Sequence, residues 1–338
     1  MEQTSESMAW LGREDGSVVV GYGPFQEHSR PPEDGHAFYV QDFALTSPTP
    51  WKIPAHVEQM EMAVFHARHA CASSAPFEWQ PLDAAPFSVV FQEIMTAIRS
   101  GIFEKTVPVV VENGTAPAAQ ETILSAMTRQ QAPLHSYGWV NGGAGFAGAT
   151  PELLFSLEGR SLRTMALAGT ARAEDRDVFE VDEKEIREHE YVAQTLVSKL
   201  LDFGLLTRRS REILDLGSIV HFLTLIQVDL ASDHSPEDLI KRLHPTPALG
   251  PLPRTDGTLA MLLQWRQRLK CPAEFGAPFG LWDQGSFEAI VAIRGMWWDE
   301  ARVQLPAGCG IIEASRLVNE WRELRLKREA VKRFTTSR

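Results

Sequence analysis

Apolar residues recur at helical spacing through "FSVVFQEIMTAIRSGIF", residues 87–103, and Gly101 supplies its stop. The same period marks a shorter helix over Met60–Cys71 and a long one over Val178–Phe203, closed by Gly204. A C-terminal helix runs through "LVNEWRELRLKREAVKRF". Between these segments the pattern changes to strands. "KTVPVVVEN" reads as one, with Pro108 suited to an edge or a bulge. "LHSYGWVNGGAGFAGATPELLFSLEGRSLRTMALAGTARA" breaks at Gly pairs and an "EGR" turn into several short β runs, the pattern of an antiparallel meander. "SFEAIVAIRGMWWDEARVQLPAGCGII" adds two or three more strands, and the Pro-, Asp- and Ser-rich stretch Ser29–Pro50 reads as loops around short ones. Strand groups alternating with long helices predict an α/β protein of the α+β type with mainly antiparallel sheets. No linker divides the chain, so residues 1–338 are expected to form one domain.

Composition narrows the picture by exclusion. The 338 residues are 44% hydrophobic and 23% charged, as in soluble globular proteins. No apolar run approaches the roughly 20 residues that span a bilayer. "MEQTSESMAWLGRED" lacks a basic region followed by an apolar one, so no leader peptide is expected and the cytoplasm is the default compartment. Cys71, Cys271 and Cys309 show no CxxC spacing, which argues against a disulfide framework or a thiolate zinc site. A net charge of −11 argues against a nucleic-acid partner. It leaves room for an anionic small substrate in a locally basic pocket.

The densest candidate chemistry lies in "EKEIREHEYV", residues 183–192. Glu185 and Glu188 are three apart and share a helix face; Glu320 and Glu323 repeat the spacing on the C-terminal helix, with Lys327 one turn on. Two readings stand. Either these are solvated faces with local Glu–Lys pairs, or four carboxylates converge on a cation. An all-oxygen set without cysteine would select a hard ion, Mg²⁺ rather than Zn²⁺.

Ordered motifs tip the balance. "FEKTVPVV", "GATPELLF", "ALAGTARA", "EKEIREHEYV", "LHPTPALG", "FGAPFG", "IVAIRG" and "AGCGII…NEWREL…K" occur in that order over about 87–333. Together they resemble the chorismate-utilising enzymes, a family of isochorismate, salicylate, anthranilate and aminodeoxychorismate synthases. The resemblance implies two antiparallel sheets packed in the core with helices outside, a small-molecule substrate (chorismate), no membrane partner, and a monomer. It implies that Glu188 and Glu320 hold Mg²⁺, with Glu185 and Glu323 supporting metal-bound waters. Lys105 matches the lysine that activates water, and Glu152 the acid that protonates the leaving hydroxyl. Such a base needs a lowered pKa, and such an acid a raised one.

Further residues follow from the same resemblance. Arg294 matches the arginine that pairs with the enolpyruvyl carboxylate, to which a guanidinium fork is suited. Gly308, Cys309 and Gly310 of "PAGCG" would let backbone N–H groups approach that anion. Gly169, Thr170, His221 and Lys327 are candidate pocket residues, with His221 equally readable as a core histidine. His189 is expected to support the neighbouring carboxylates. Ala168 stands where amine-forming relatives carry a lysine nucleophile, which removes that route. Ala248 and Leu249 stand where salicylate- and amine-forming branches tend to place a threonine. The expected activity is therefore an Mg²⁺-dependent isochorismate synthase, an isomerase serving menaquinone, siderophore or salicylate synthesis. Three alternatives remain open: a salicylate synthase, an amine-forming partner of a glutaminase, and an inactive relative. The chain departs from the family pattern at Pro108, Val110, Pro251 and Leu324.

Overall fold

The computed structural model describes residues 7–71, 76–299 and 302–336. Residues 1–6 of the stretch used for the leader-peptide reading lie outside these. Among the described residues the strands pair antiparallel, and 17 of them join into one hydrogen-bonded network. The expected α/β class with antiparallel sheets holds. Among the described residues, however, the strands run together through shared partners as one network, and only a two-stranded ribbon stands apart from it.

The opening strands show how the core is divided. Met8–Gly12 is buried along its whole length. Successive side chains point to opposite faces of a strand. Ala9 and Leu11 accordingly enter the main core, while Met8 and Trp10 enter a second one. That second core is closed by helices Met62–His69 and Ala119–Thr128 through Phe65, Ile123 and Met127. Helix Glu183–Leu200 seals the main core with Val192, Ala193, Leu196 and Leu200. Helix Ala85–Arg99 builds a third with Phe87, Phe91 and Ile94, against Leu324 of the C-terminal helix Leu317–Thr336.

Two expected elements are divided. The helix read over Val178–Phe203 is two helices, Arg176–Glu180 and Glu183–Leu200, and Gly204 already begins strand Gly204–Arg208. The cause is Asp182, whose carboxylate accepts the Glu185 N–H and starts a new helix. "KTVPVVVEN" is also divided. Lys105–Thr106 pairs with Ile311–Ile312 in the separate ribbon, while Val109–Thr115 joins the main network. Pro108, with no N–H to give, lies between the two.

Strand Ser161–Arg172 lies against Ile219–Leu230, and the register shifts between Ala168 and Ala171. The bulge places Gly169, at φ +76°, and Thr170 beneath helix Glu183–Leu200.

Candidate active site

The first two turns of helices Glu183–Leu200 and Leu317–Thr336 meet at a cluster of carboxylates. At its centre is the ammonium of Lys184. Its Nζ lies 2.8 Å from Glu185, 3.1 Å from Glu188, 3.5 Å from Glu320 and 4.0 Å from Glu323. Glu188, Glu320 and Glu323 are buried. Thr170 N–H donates to Glu185 from the bulge at 2.9 Å. The carboxylates do not share their charge equally. Burial, with repulsion from neighbouring carboxylates, holds Glu185 and Glu320 above the usual range against the pull of Lys184. Burial acts the same way on Glu188, but Lys184, Lys105 and Lys327 outweigh it and hold Glu188 low.

Lys105 lies directly behind this cluster, fully buried. Its backbone is held by Ile312 in the small ribbon and by Leu252, whose N–H donates to the Lys105 carbonyl at 2.7 Å. Its ammonium donates to the Pro247 carbonyl at 2.5 Å and pairs with Glu188 at 3.3 Å. Gly310 makes this arrangement possible. A Cβ at that position would stand 2.0 Å from Glu188 Oε1 and 2.6 Å from Lys105 Cε.

Glu152, Arg294 and His221 face one cavity, about 60 Å³, whose wall includes Glu188 and Gly310. Lys105 itself stands behind that wall. Burial pushes Glu152 up to about 7, against the charges of Lys105, Lys327 and Arg294. Arg294 adopts φ +57°, a left-handed conformation that costs a non-glycine residue and is common at functional sites. Its NH2 donates to His221 Nε2 at 2.8 Å, whereas its buried NH1 has no partner. His221 Nδ1 lies 2.8 Å from the Gly169 carbonyl. A carbonyl only accepts, so Nδ1 carries the proton and Nε2 is free to accept from Arg294. Burial first, and then Arg294, hold His221 neutral. His221 is thus a pocket residue that orients the arginine.

The other expected residues divide. Ala168, Gly169, Thr170, Ala248, Leu249, Gly308 and Lys327 all line the cavity. Lys327 bridges the Gly308 carbonyl at 2.9 Å and Glu323 at 2.6 Å. Cys309 differs: its side chain joins the third hydrophobic core, so only its backbone belongs to the glycine turn. His189 differs as well. Its Nε2 pairs with Thr224 at 2.8 Å, away from the carboxylates, and burial lowers it to about 4. The expectation that it supports them is corrected, because its position on the helix faces the sheet. Sequence reading passed over Lys184. The available signal was its place four residues before Glu188, on the same helical face.

The carboxylate cluster suits a hard divalent ion. Its donors are all oxygens, drawn from two rigid helices, and Glu320 Oε2 is buried without a partner. Among the described residues, no three carboxylate, histidine or cysteine side chains are drawn together tightly enough to hold an ion as they stand. The four carboxylates are instead arranged around the ammonium of Lys184.

A family model described as chorismate binding enzyme matches residues 52–335. Isochorismate synthase MenF of Haemophilus influenzae is 26% identical over 254 residues, covering 70% of this chain and 57% of the relative. Isochorismate synthase EntC of Escherichia coli K12 is 32% identical over 193 residues, covering 53% and 48%. The matches thus span about half the length of these curated relatives. A solved structure described as a 2,3-dihydroxybenzoate-specific isochorismate synthase, DhbC from Bacillus anthracis, superposes with TM-score 0.82 at 18% identity, over 99% of this chain and 98% of that one. That likeness establishes the fold, and the family model, matched over most of the length, establishes the rest: the chain belongs to the chorismate binding enzymes.

Proposed function

We propose that the chain is an isochorismate synthase, converting chorismate to isochorismate by exchange of a ring hydroxyl. The observation that carries this reading is Glu152, a buried carboxyl pushed up to about 7 in the same cavity as an arginine with an unpartnered NH1. Such a carboxyl holds its proton near neutral pH and can donate it. Arg294 NH1 faces no protein acceptor and suits a substrate carboxylate. Mg²⁺, held by Glu188 and Glu320 with Glu185 and Glu323 in support, would supply positive charge opposite the second substrate carboxylate.

In this reading Lys105, as the neutral amine, takes a proton from water and becomes the ammonium as the water oxygen bonds to ring carbon C2. The diene shifts, the bond from C4 to its hydroxyl oxygen breaks, and Glu152 protonates the departing oxygen to give water. Proton transfer requires Lys105 to leave Glu188 and reach past Gly310. Among the lining residues, Ala168 offers no amine, and Ala248 and Leu249 offer no hydroxyl. This favours stopping at isochorismate over the elimination of pyruvate.

Purified protein given chorismate and Mg²⁺ without ammonia, with products resolved by NMR, tests the proposal. A reversible mixture of chorismate and isochorismate, free of pyruvate, is expected. Salicylate with pyruvate would replace the proposal with the salicylate synthase reading. Unchanged chorismate would overturn both.

A further inference from the structure

The carboxylate cluster separates two spaces. Inside is the cavity walled by Glu188, Glu152 and Lys327. Outside is a groove of about 740 Å³ that Lys184, Glu185, Glu320 and Glu323 all line. Lys184 lines the groove side of this cluster, its ammonium within 4.0 Å of every carboxylate. The side chain springs from the first turn of its helix, directly after the break at Asp182. The inner cavity, about 60 Å³, has room for a few waters.

We infer that Lys184 is a resident counter-ion. Its ammonium occupies the cation position while no divalent ion is bound, and entry of the ion expels it into the outer groove. The inference rests on the proposed metal site and adds what that site does when empty. Like charges held this close repel strongly without a cation. An ammonium on a flexible four-carbon stem can supply that charge and then retreat. Glu320 Oε2, buried and unpartnered, shows that one ammonium leaves the donor set incompletely satisfied. A divalent ion would satisfy it further, and this gives exchange its direction.

Two measurements on the chelated full chain test this. In titration calorimetry, Lys184→Met should bind Mg²⁺ about tenfold more tightly than the parent, because a competitor is gone. In EDTA its Tm should fall by about 5 °C, and Mg²⁺ should restore it. Equal or weaker Mg²⁺ binding by Lys184→Met overturns the inference, since Lys184 would then support the ion rather than stand in for it. The unmodified protein gives an answer independent of that variant's folding. Lysine labelling read by mass spectrometry should show Lys184 protected in EDTA and several-fold more reactive with Mg²⁺. Labelling that Mg²⁺ leaves unchanged or slows also overturns it. No Mg²⁺ binding by either protein would remove the metal site itself and the inference with it, while an ion that binds without moving Lys184 removes only the inference.

Discussion

Glu152 illustrates how a catalytic side chain can work against the fold that holds it. Its folded-state pKa stands at about 7 against an ordinary 4.5, chiefly through burial. The charged form therefore costs nothing below about 4.5, costs progressively more up to about 7, and reaches a plateau of roughly 3 kcal/mol above that. Glu152→Gln should lose turnover yet melt at a higher temperature than the parent at pH 8, with the difference closing near pH 4.5. In the parent, kcat/KM should fall as pH rises through about 7, where the acid loses its proton. A flat profile between pH 6 and 8.5 would remove Glu152 from that role. Gly310 sets a second limit at this scale. Its missing Cβ leaves room for the Glu188–Lys105 pair. Gly310→Ala should therefore cost about 1–3 kcal/mol in denaturant unfolding and reduce turnover about a hundredfold by misplacing Lys105. Turnover within a factor of two of the parent would show that the pair has slack.

At the scale of elements, the decisive feature is the break before helix Glu183–Leu200. The helical period runs on through Val178–Asp182, so the sequence shows one long helix. Only the Asp182 side chain, bonded to the Glu185 N–H, reveals a start there. This cap sets the angle at which Lys184, Glu185 and Glu188 leave the backbone. Asp182→Ala should cost about 1 kcal/mol in urea unfolding and weaken Mg²⁺ binding measurably. Loss of stability with metal affinity unchanged would confine the cap to a structural role. The carboxylate spacing was legible because three residues apart on a helix is a local matter. That the two helices meet was carried by the family motifs, since no spacing within either helix contains it. The place of Lys184 was hidden for the same reason: its partners Glu320 and Glu323 lie on the other helix. His189 was misassigned because neighbours in sequence on a helix point in different directions.

Across the whole molecule, the C-terminal helix is fastened to the sheet by a buried ion pair outside the carboxylate cluster. Glu112 on strand Val109–Thr115 accepts from Arg328 at 2.9 Å and Lys332 at 2.8 Å, and Arg328 is buried. The same helix carries Glu320, Glu323 and Lys327 to the site. Glu112→Ala leaves a buried guanidinium uncompensated and should destabilise the protein by about 4 kcal/mol. It should also weaken Mg²⁺ binding although no ligand has been touched. Normal metal affinity in a destabilised variant would show that the helix is held in place by its apolar contacts alone. The antiparallel α/β class was legible from the two periods. The joining of the strands into one network was not, because pairing between distant strands leaves no local trace.

Those distant pairings also govern how the chain is made. Strand His36–Val40 pairs along its full length with Pro278–Asp283, and only two of its residues find partners in the nearby Trp51–Glu61. At a synthesis rate of about 5–20 residues per second, one edge of the earlier strand waits for roughly 10–50 s before its partner is made. Through that interval an apolar strand with open backbone groups is offered to any other chain that carries one. Recovery of the protein from a cell should therefore depend on translation speed, temperature and chaperone supply more steeply than its finished stability would suggest.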